Sequence, residues 1–343
     1  MSTFDPNAAA SPDSGVFGLP HSPEEARVVL IPVPFEATTS YGGGTGEGPN
    51  AILEASRQVD LFDFETGRPY QRGIAMLEDP AQVRRWADEA KALARPIVEA
   101  GGPDQVPDGE QILESVNALC DRMNDWVYAE TRRWLERGKL VGIVGGDHSV
   151  PYGAIRAYAE RYPGLGVLHL DAHADLREAY EGFTWSHASI MFNVAERIPG
   201  VSRIVQVGIR DLGEAEFAYL SRPGSKVTAH FDADLQRKRF DGLPWNRQVD
   251  EIVSALPNDV YLSFDIDGLD PTLCPHTGTP VPGGLSFAEA VALVAGVVRS
   301  GKRIVGFDLN EVAPDPDGGE WDGNVGARLL YKMIGWALKS QGQ

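Results

Sequence analysis

The chain has 343 residues, 43% of them hydrophobic, enough for one large α/β core; its formal net charge of −18 argues against a nucleic-acid partner, whose phosphates would be repelled. Its 2 cysteines, Cys120 and Cys274, cannot build a disulfide framework and fit a reducing, cytoplasmic setting. No apolar run approaches the roughly 18 residues needed to cross a membrane, and the opening MSTFDPNAAASPDSG lacks the basic and apolar regions of a signal peptide.

In chain order, residues 1–20 read as a flexible polar tail and 21–343 as a single domain. A first apolar, β-branched run at 28–33 leads into the Gly-rich SYGGGTGEGP (40–49). That loop lacks the GKS or GKT ending of a phosphate loop and any basic residue, so it reads as a tight loop shaping a pocket. Helical patterns at about 80–98 and 110–137 are joined by a loop at 98–110, and the stretch around 80–110 looks like a helical insertion outside the sheet. Further apolar runs at 140–144, 167–170, 204–209, 260–266 and 304–309 alternate with helical patterns at about 151–162, 187–197, 245–256, 286–299 and 325–339. Near-continuous apolar runs suggest strands buried on both faces, hence a parallel sheet. Their alternation with helices along the whole chain argues for one α/β domain with helices on both sides.

Ligands bind at the carboxyl ends of strands in such sheets, and the chemistry here sits at those ends. VGIVGGDHS closes on Asp147 and His148, VLHLDAHAD on Asp171, YLSFDIDGLDP on Asp265 and Asp267, and IVGFDLNEVAP on Asp308 and Glu311. Asp171, His173 and Asp175 alternate, so they share a face if the segment is extended; Asp265 and Asp267 repeat that spacing. A helix-capping role would explain one of these aspartates but not three convergent groups. Burying so many carboxylates without cations would be prohibitively costly. Four carboxylates (Asp171, Asp175, Asp265, Asp267) and two imidazoles (His148, His173) are too many for one small ion. Two divalent cations sharing carboxylates bring the sum near neutrality. Oxygen and imidazole donors without thiolate favour Mn²⁺, with Ni²⁺, Co²⁺ or Zn²⁺ also fitting. His169, mid-strand and flanked by apolar residues, reads as a core histidine rather than a ligand.

GGDHS (145–149), DAHAD (171–175) and SFDIDGLDP (263–271), with IPVPFEATTSYGGGTGEGPNAI (31–52), GTPVPGG (278–284) and DLNEVAP (308–314), resemble the ureohydrolase family of arginases and agmatinases in the same order along about 28–338. The resemblance implies a three-layer α/β/α sandwich around a mainly parallel, about eight-stranded sheet. It implies two Mn²⁺ ions, a homo-oligomer (trimer or hexamer), and hydrolysis of a linear guanidino compound to an amine and urea. Carried over by residue, it implies metal ligation by His148, Asp171, His173, Asp175, Asp265 and Asp267, with Asp175 also among the catalytic groups. Glu311 becomes the carboxylate that holds the guanidinium, and His187 the proton shuttle at the mouth of the site. The chemistry agrees: a carboxylate can pair a planar guanidinium in bidentate fashion, and a partly exposed histidine near its ordinary pKa can supply a proton to a leaving amine.

The sequence departs from the family pattern around the substrate rather than the metals. His276 stands where Gly is usual, and His187-Ala188-Ser189 replaces a His-Gly-Thr. Agmatine is the expected substrate, because Glu178 and Glu181 favour a cationic tail. Arg177 instead favours a carboxylate, as in guanidinobutyrate or formiminoglutamate; the Asn and Ser with which arginases hold the amino-acid head are missing from 176–181. Free guanidine, closed in by Phe183, Trp185 or Trp321, is a further reading. A non-catalytic scaffold would be expected to lose ligands, and all six are present.

Overall fold

The apolar, β-branched runs form strands, as their composition dictates. The structure, a computed structural model, describes residues 4–342, and among them eight strands form one parallel sheet. They are β1 (Val28–Val33), β2 (Ile74–Met76), β3 (Leu140–Gly145), β4 (Leu165–Leu170), β5 (Val201–Ile209), β6 (Val227–Phe231), β7 (Asp259–Asp265) and β8 (Arg303–Asn310). Their order in the sheet is β2-β1-β3-β8-β7-β4-β5-β6. The four strands whose ends carry the acidic and imidazole motifs, β3, β8, β7 and β4, are therefore the four consecutive central ones. The two strands that the hydrophobic pattern does not predict, β2 and β6, are the two edges: β2 is three residues long, and β6 is only half-buried beyond Val227.

Alternate residues of each strand face opposite cores. Val28 and Leu30 pack with one apolar cluster, Val29, Ile31 and Val33 with the other. The first is covered by α1 (Gly48–Ser56), α8 (Trp245–Ser254), α9 (Phe287–Arg299) and α10 (Trp321–Ser340), the second by α2 (Ala81–Ala100), α3 (Gly109–Glu136), α4 (Tyr152–Arg161) and α5 (Ile190–Arg197). The remaining helices, α6 (Glu214–Ser221) and α7 (Asp232–Phe240), flank β6.

Two boundaries differ from expectation. The stretch around 80–110 is built into the core: Val83, Ala87, Ala90, Ala94 and Ile97 make a helical stripe on α2 that packs on α3 and joins the cluster containing Val29 and Ile31. The polar tail also ends sooner. Residues 1–3 lie outside the described residues, but Val16, Phe17 and Leu19 are buried, and the Phe17 N–H donates to Ser56 Oγ at 2.9 Å. Apolar side chains in an otherwise polar tail anchor it to α1.

Candidate metal centre and active site

Each group at the site is set by a strand end. β3 runs into the Gly145-Gly146 turn, where a Cβ on Gly146 would sit 2.1 Å from the Phe35 carbonyl, so only glycine lets the chain turn there and deliver His148. β4 ends at Asp171, and a turn carries His173 and Asp175, the latter at a φ of 53°. Asp265 closes β7 and accepts from the Asp267 N–H at 2.8 Å. Glu311 follows β8, at a φ of 63°.

These side chains converge. His148 Nδ1 lies 3.0 Å from Asp171 and 3.3 Å from both Asp175 and Asp265. His173 Nδ1 lies 3.1 Å from Asp267 and 3.4 Å from the other oxygen of Asp171. Two groups that could each hold a metal ion result: His148, His169, Asp171 and Asp175 in one, Asp171, His173 and Asp267 in the other. Asp171 belongs to both, as a bridging carboxylate would, and Asp265 joins the first through His148.

The electrostatics show what the cluster lacks. Burial and neighbouring carboxylates push Asp175 up to about 8 and Asp265 well above the usual carboxylate range. Asp171 lies well below it because, against the effect of burial, His169, His148 and His173 all face it. Burial alone would lower both histidines, but the carboxylates lift His148 well above its ordinary value and push His173 up to about 12. Carboxylates this crowded hold on to any positive charge within reach. Divalent cations would supply that charge, and oxygen and imidazole donors suit them. The residues fit the group.

A buried polar row lies one step below these residues. In register across β8, β7, β4 and β5 stand Asp308, Ser263, His169 and Gln206. Ser263 Oγ donates to Asp308 at 3.0 Å, so it accepts from His148 Nε2 at 2.9 Å, leaving His148 Nδ1 free to face a metal. His169 is fully buried, as a core histidine should be, but it touches Asp171 at 2.8 Å. The period-two spacing that groups Asp171 with His173 also runs backward to His169, and from Asp265 to Ser263; that signal was present in the sequence.

Glu311 Oε1 accepts from the His148 N–H at 2.8 Å. Its Oε2 is buried without a partner, below Gly278, where a Cβ would come within 3.1 Å of it. A cavity of about 170 Å³ opens at the metal-binding cluster, walled by His173, Asp175, Arg177, Tyr180, His187, Asp211, Glu216, Ser40 and Thr279. His187 lines this cavity, but burial, and then His173, lowers it to about 4 rather than leaving it near its ordinary value. It is a neutral imidazole at neutral pH.

Arg177 reaches the wall, its guanidinium 3.6 Å from Glu216 and 4.8 Å from the centre of the Tyr180 ring. Glu181 does not line the cavity, and Glu178 is exposed and away from it. The acidic groups on the wall are instead Asp211 and Glu216, which follow β5 and carry no sequence motif that pointed to them. Phe183 is in the core, Trp185 packs on Tyr152, and Trp321 donates to the Thr272 carbonyl, so none of the three encloses a free guanidine. His276 binds Asp322 at 2.8 Å and pins its loop to α10, away from the cavity. The Gly-rich loop has its N–H groups turned inward: Gly44 and Gly46 donate to the buried Glu36 carboxylate, which leaves none of that pair for a phosphate.

A parallel sheet whose central strand ends gather carboxylates and imidazoles into two groups sharing one aspartate defines a binuclear metallohydrolase of α/β/α architecture. The Arginase family matches residues 26–335, and the chain belongs to it. It is similar to the N(1)-aminopropylagmatine ureohydrolase of Thermus thermophilus, with 36% identity over 93% of this chain and 94% of that one. To the agmatinase of Bacillus subtilis it is 31% identical, over 91% and 92% of the two chains. Among solved structures it superposes on the agmatine ureohydrolase of Thermoplasma volcanium with a TM-score of 0.70 and 25% identity, covering 94% of this chain and 93% of that one. The proclavaminate amidino hydrolase of Streptomyces clavuligerus gives 0.72 and 25%, covering 97% and 100%. The chain is a hydrolase of C–N bonds in linear amidines, and its small-molecule substrate carries a guanidino group.

Proposed function

We propose that the chain hydrolyses an amine-tailed guanidine of the agmatine type to urea and an amine, agmatine itself giving putrescine. The observation that carries this reading is Glu311 Oε2, a buried carboxylate oxygen with no partner beside a metal-binding cluster. A guanidinium N–H is the donor it lacks, since leaving such an oxygen unpaired is costly. The tail would then run along a wall where Asp211 and Glu216 outnumber Arg177. Of the four relatives above, the Thermus thermophilus and Bacillus subtilis proteins are named for N(1)-aminopropylagmatine and agmatine.

In this reading His148, Asp171, His173, Asp175, Asp265 and Asp267 hold two divalent ions, Mn²⁺ by preference. Bound divalent ions lower the pKa of water and polarise the carbon under attack. The chain's own residues do the rest. Glu311 orients the guanidinium so that its carbon faces the cluster. Neutral His187 on the cavity wall takes up the proton that the attacking water loses and passes it to the departing amine nitrogen. The assembled form is a cytoplasmic homo-oligomer, trimer or hexamer, a state supported by the exposed aromatic pair Phe62 and Phe64.

A second reading, guanidinobutyrate as substrate, is favoured by Arg177, the cavity wall's one guanidinium. Urea release from agmatine, N(1)-aminopropylagmatine, guanidinobutyrate, arginine and guanidine, with Mn²⁺ or Ni²⁺ supplied separately, decides between them. Preference for an amine-tailed compound supports the first reading; preference for guanidinobutyrate overturns it in favour of the second. No urea from any compound overturns both.

A further inference from the structure

We infer that His169 is a positioning residue for the metal centre, and that Gln206 makes it one by fixing which of its ring nitrogens carries the proton. The inference rests on the ligand set proposed above and on hydrogen-bond geometry. β4 and β5 place His169 and Gln206 side by side, both fully buried. Gln206 Nε2 lies 3.0 Å from His169 Nδ1 and 2.5 Å from the Ala174 carbonyl oxygen. A carbonyl can only accept, so the amide NH₂ must face Ala174; the flipped amide would set two oxygens against each other. Gln206 therefore donates in both directions, and His169 Nδ1 can only accept. The ring proton is then on Nε2, which lies 2.8 Å from Asp171 Oδ2 and donates to it.

Two consequences follow. His169 Nε2 sits within the group formed by His148, Asp171 and Asp175, yet it has no lone pair to offer and cannot be a ligand. It acts instead on the carboxylate that the two metal groups share. Asp171 is clamped on both oxygens, Oδ2 by His169 and Oδ1 by the His173 N–H at 2.6 Å. Because Ala174 belongs to the same turn as Asp171, the chain Ala174–Gln206–His169–Asp171 closes a ring of hydrogen bonds that ties the ligand-bearing turn to β5. Burial leaves that ring unscreened by water, and an outer partner of this kind commands roughly ten- to a hundredfold in metal affinity or activity.

The test uses the full-length chain stripped of metal. Nitrogen-15 NMR of labelled histidines should find the His169 proton on Nε2 in the metal-free protein and still there after titration with diamagnetic Zn²⁺. Calorimetry with Mn²⁺ should show Gln206→Leu and His169→Leu each weakening binding about ten- to a hundredfold. His169→Gln, which keeps a donor, should recover most of the loss. Gln206→Leu should also shift the His169 proton away from a single nitrogen, which a loss of packing alone would not do. A proton on Nδ1 in the wild-type chain overturns the inference, as does loss of the Nε2 proton on Zn²⁺ binding, or wild-type Mn²⁺ affinity in Gln206→Leu. The wild-type spectra decide the matter even if the leucine variants fold poorly. Asp171→Asn separates the two levels: wild-type Mn²⁺ binding there would overturn the ligand set, whatever His169 does.

Discussion

Glu311 and Asp175 are acidic residues held in left-handed backbone conformations, at φ of 63° and 53°. Residues with a Cβ rarely adopt that region, and such outliers collect where geometry is needed for chemistry. The Glu311 N–H is fixed by the Gly146 carbonyl at 2.8 Å and its Oε1 by the His148 N–H, so only Oε2 remains for a substrate. Glu311→Gln keeps this shape but removes the charge. It should retain two metal ions by elemental analysis while kcat/KM for the preferred guanidine falls about ten- to a hundredfold, the worth of one charge-assisted hydrogen bond. Unchanged kcat/KM would mean that the guanidinium binds elsewhere. Arg177 is the second residue whose surroundings set an expectation. It sits between the Tyr180 ring and Glu216 on the cavity wall, where it repels an ammonium tail and draws a carboxylate. Arg177→Ala should raise the ratio of kcat/KM on agmatine to that on guanidinobutyrate. Glu181→Ala, away from the wall, should leave the ratio where it was.

At the scale of elements, the Gly-rich loop and the segment before α9 shape the cavity from outside the sheet, contributing Ser40 and Thr279 to its wall. Gly42, Gly43 and Gly44 all have positive φ, and Gly42 is so close to Gly278 that a Cβ would meet the carbonyl at 2.4 Å. This packing seats the loop over the residue that covers Glu311. One buried carboxylate holds it: Glu36 accepts from Gly44 and Gly46 and from Thr45 Oγ1, and pairs with Lys91 on α2. Lys91 is 56% exposed, so Lys91→Ala should cost less than about 1 kcal/mol by denaturant unfolding. Glu36→Ala strands several inward donors at once and should cost about 1–3 kcal/mol and raise KM. Equal effects would show that the charge pair, not the inward N–H groups, organises the loop. His276 anchors the neighbouring loop through Asp322, and that hydrogen bond raises its pKa above the ordinary value. A raised pKa stabilises fully below about 6.5 and is lost as pH climbs through the folded value. Amide exchange around His276 should therefore quicken, beyond the intrinsic rate, as pH rises above the ordinary histidine range, and His276→Ala should abolish that extra step.

For the molecule as a whole, the metal centre is a contribution to stability as well as to chemistry. The four central strands each deliver an acidic or imidazole group to one edge of the sheet, and without cations the carboxylates among them repel one another. Ions that bind only the folded chain stabilise it by mass action, about 2.7 kcal/mol when present at 100 times their Kd. Thermal unfolding should move to higher temperature on Mn²⁺ addition and return on chelation. Asp267→Asn should bind fewer ions and lose most of the increase. An identical melting temperature with and without Mn²⁺ would contradict a centre built from these residues.

The candidate metal cluster was legible because it is local: in a strand or extended turn, side chains repeat every two residues, so DAHAD and DID each announce a shared face without reference to the rest of the chain. The central strands were legible for a similar reason, since burial on both faces leaves them apolar throughout. The edges β2 and β6 were not, because an edge strand is short or half-exposed and its pattern fades. What surrounds the ligands depended on pairing between distant segments. Register alone brings Gln206, His169, Ser263 and Asp308 into one row, from residues more than a hundred positions apart at its ends. The cavity wall has the same origin: Asp211 reaches it from the loop after β5 and Glu216 from α6, while Glu178 and Glu181, close to DAHAD in sequence, turn away. Residue types along a strand determine which atoms can bind a metal. Which atoms face the substrate is decided by how loops from separate strands fold over the sheet edge, because loop directions follow tertiary packing rather than a periodic rule.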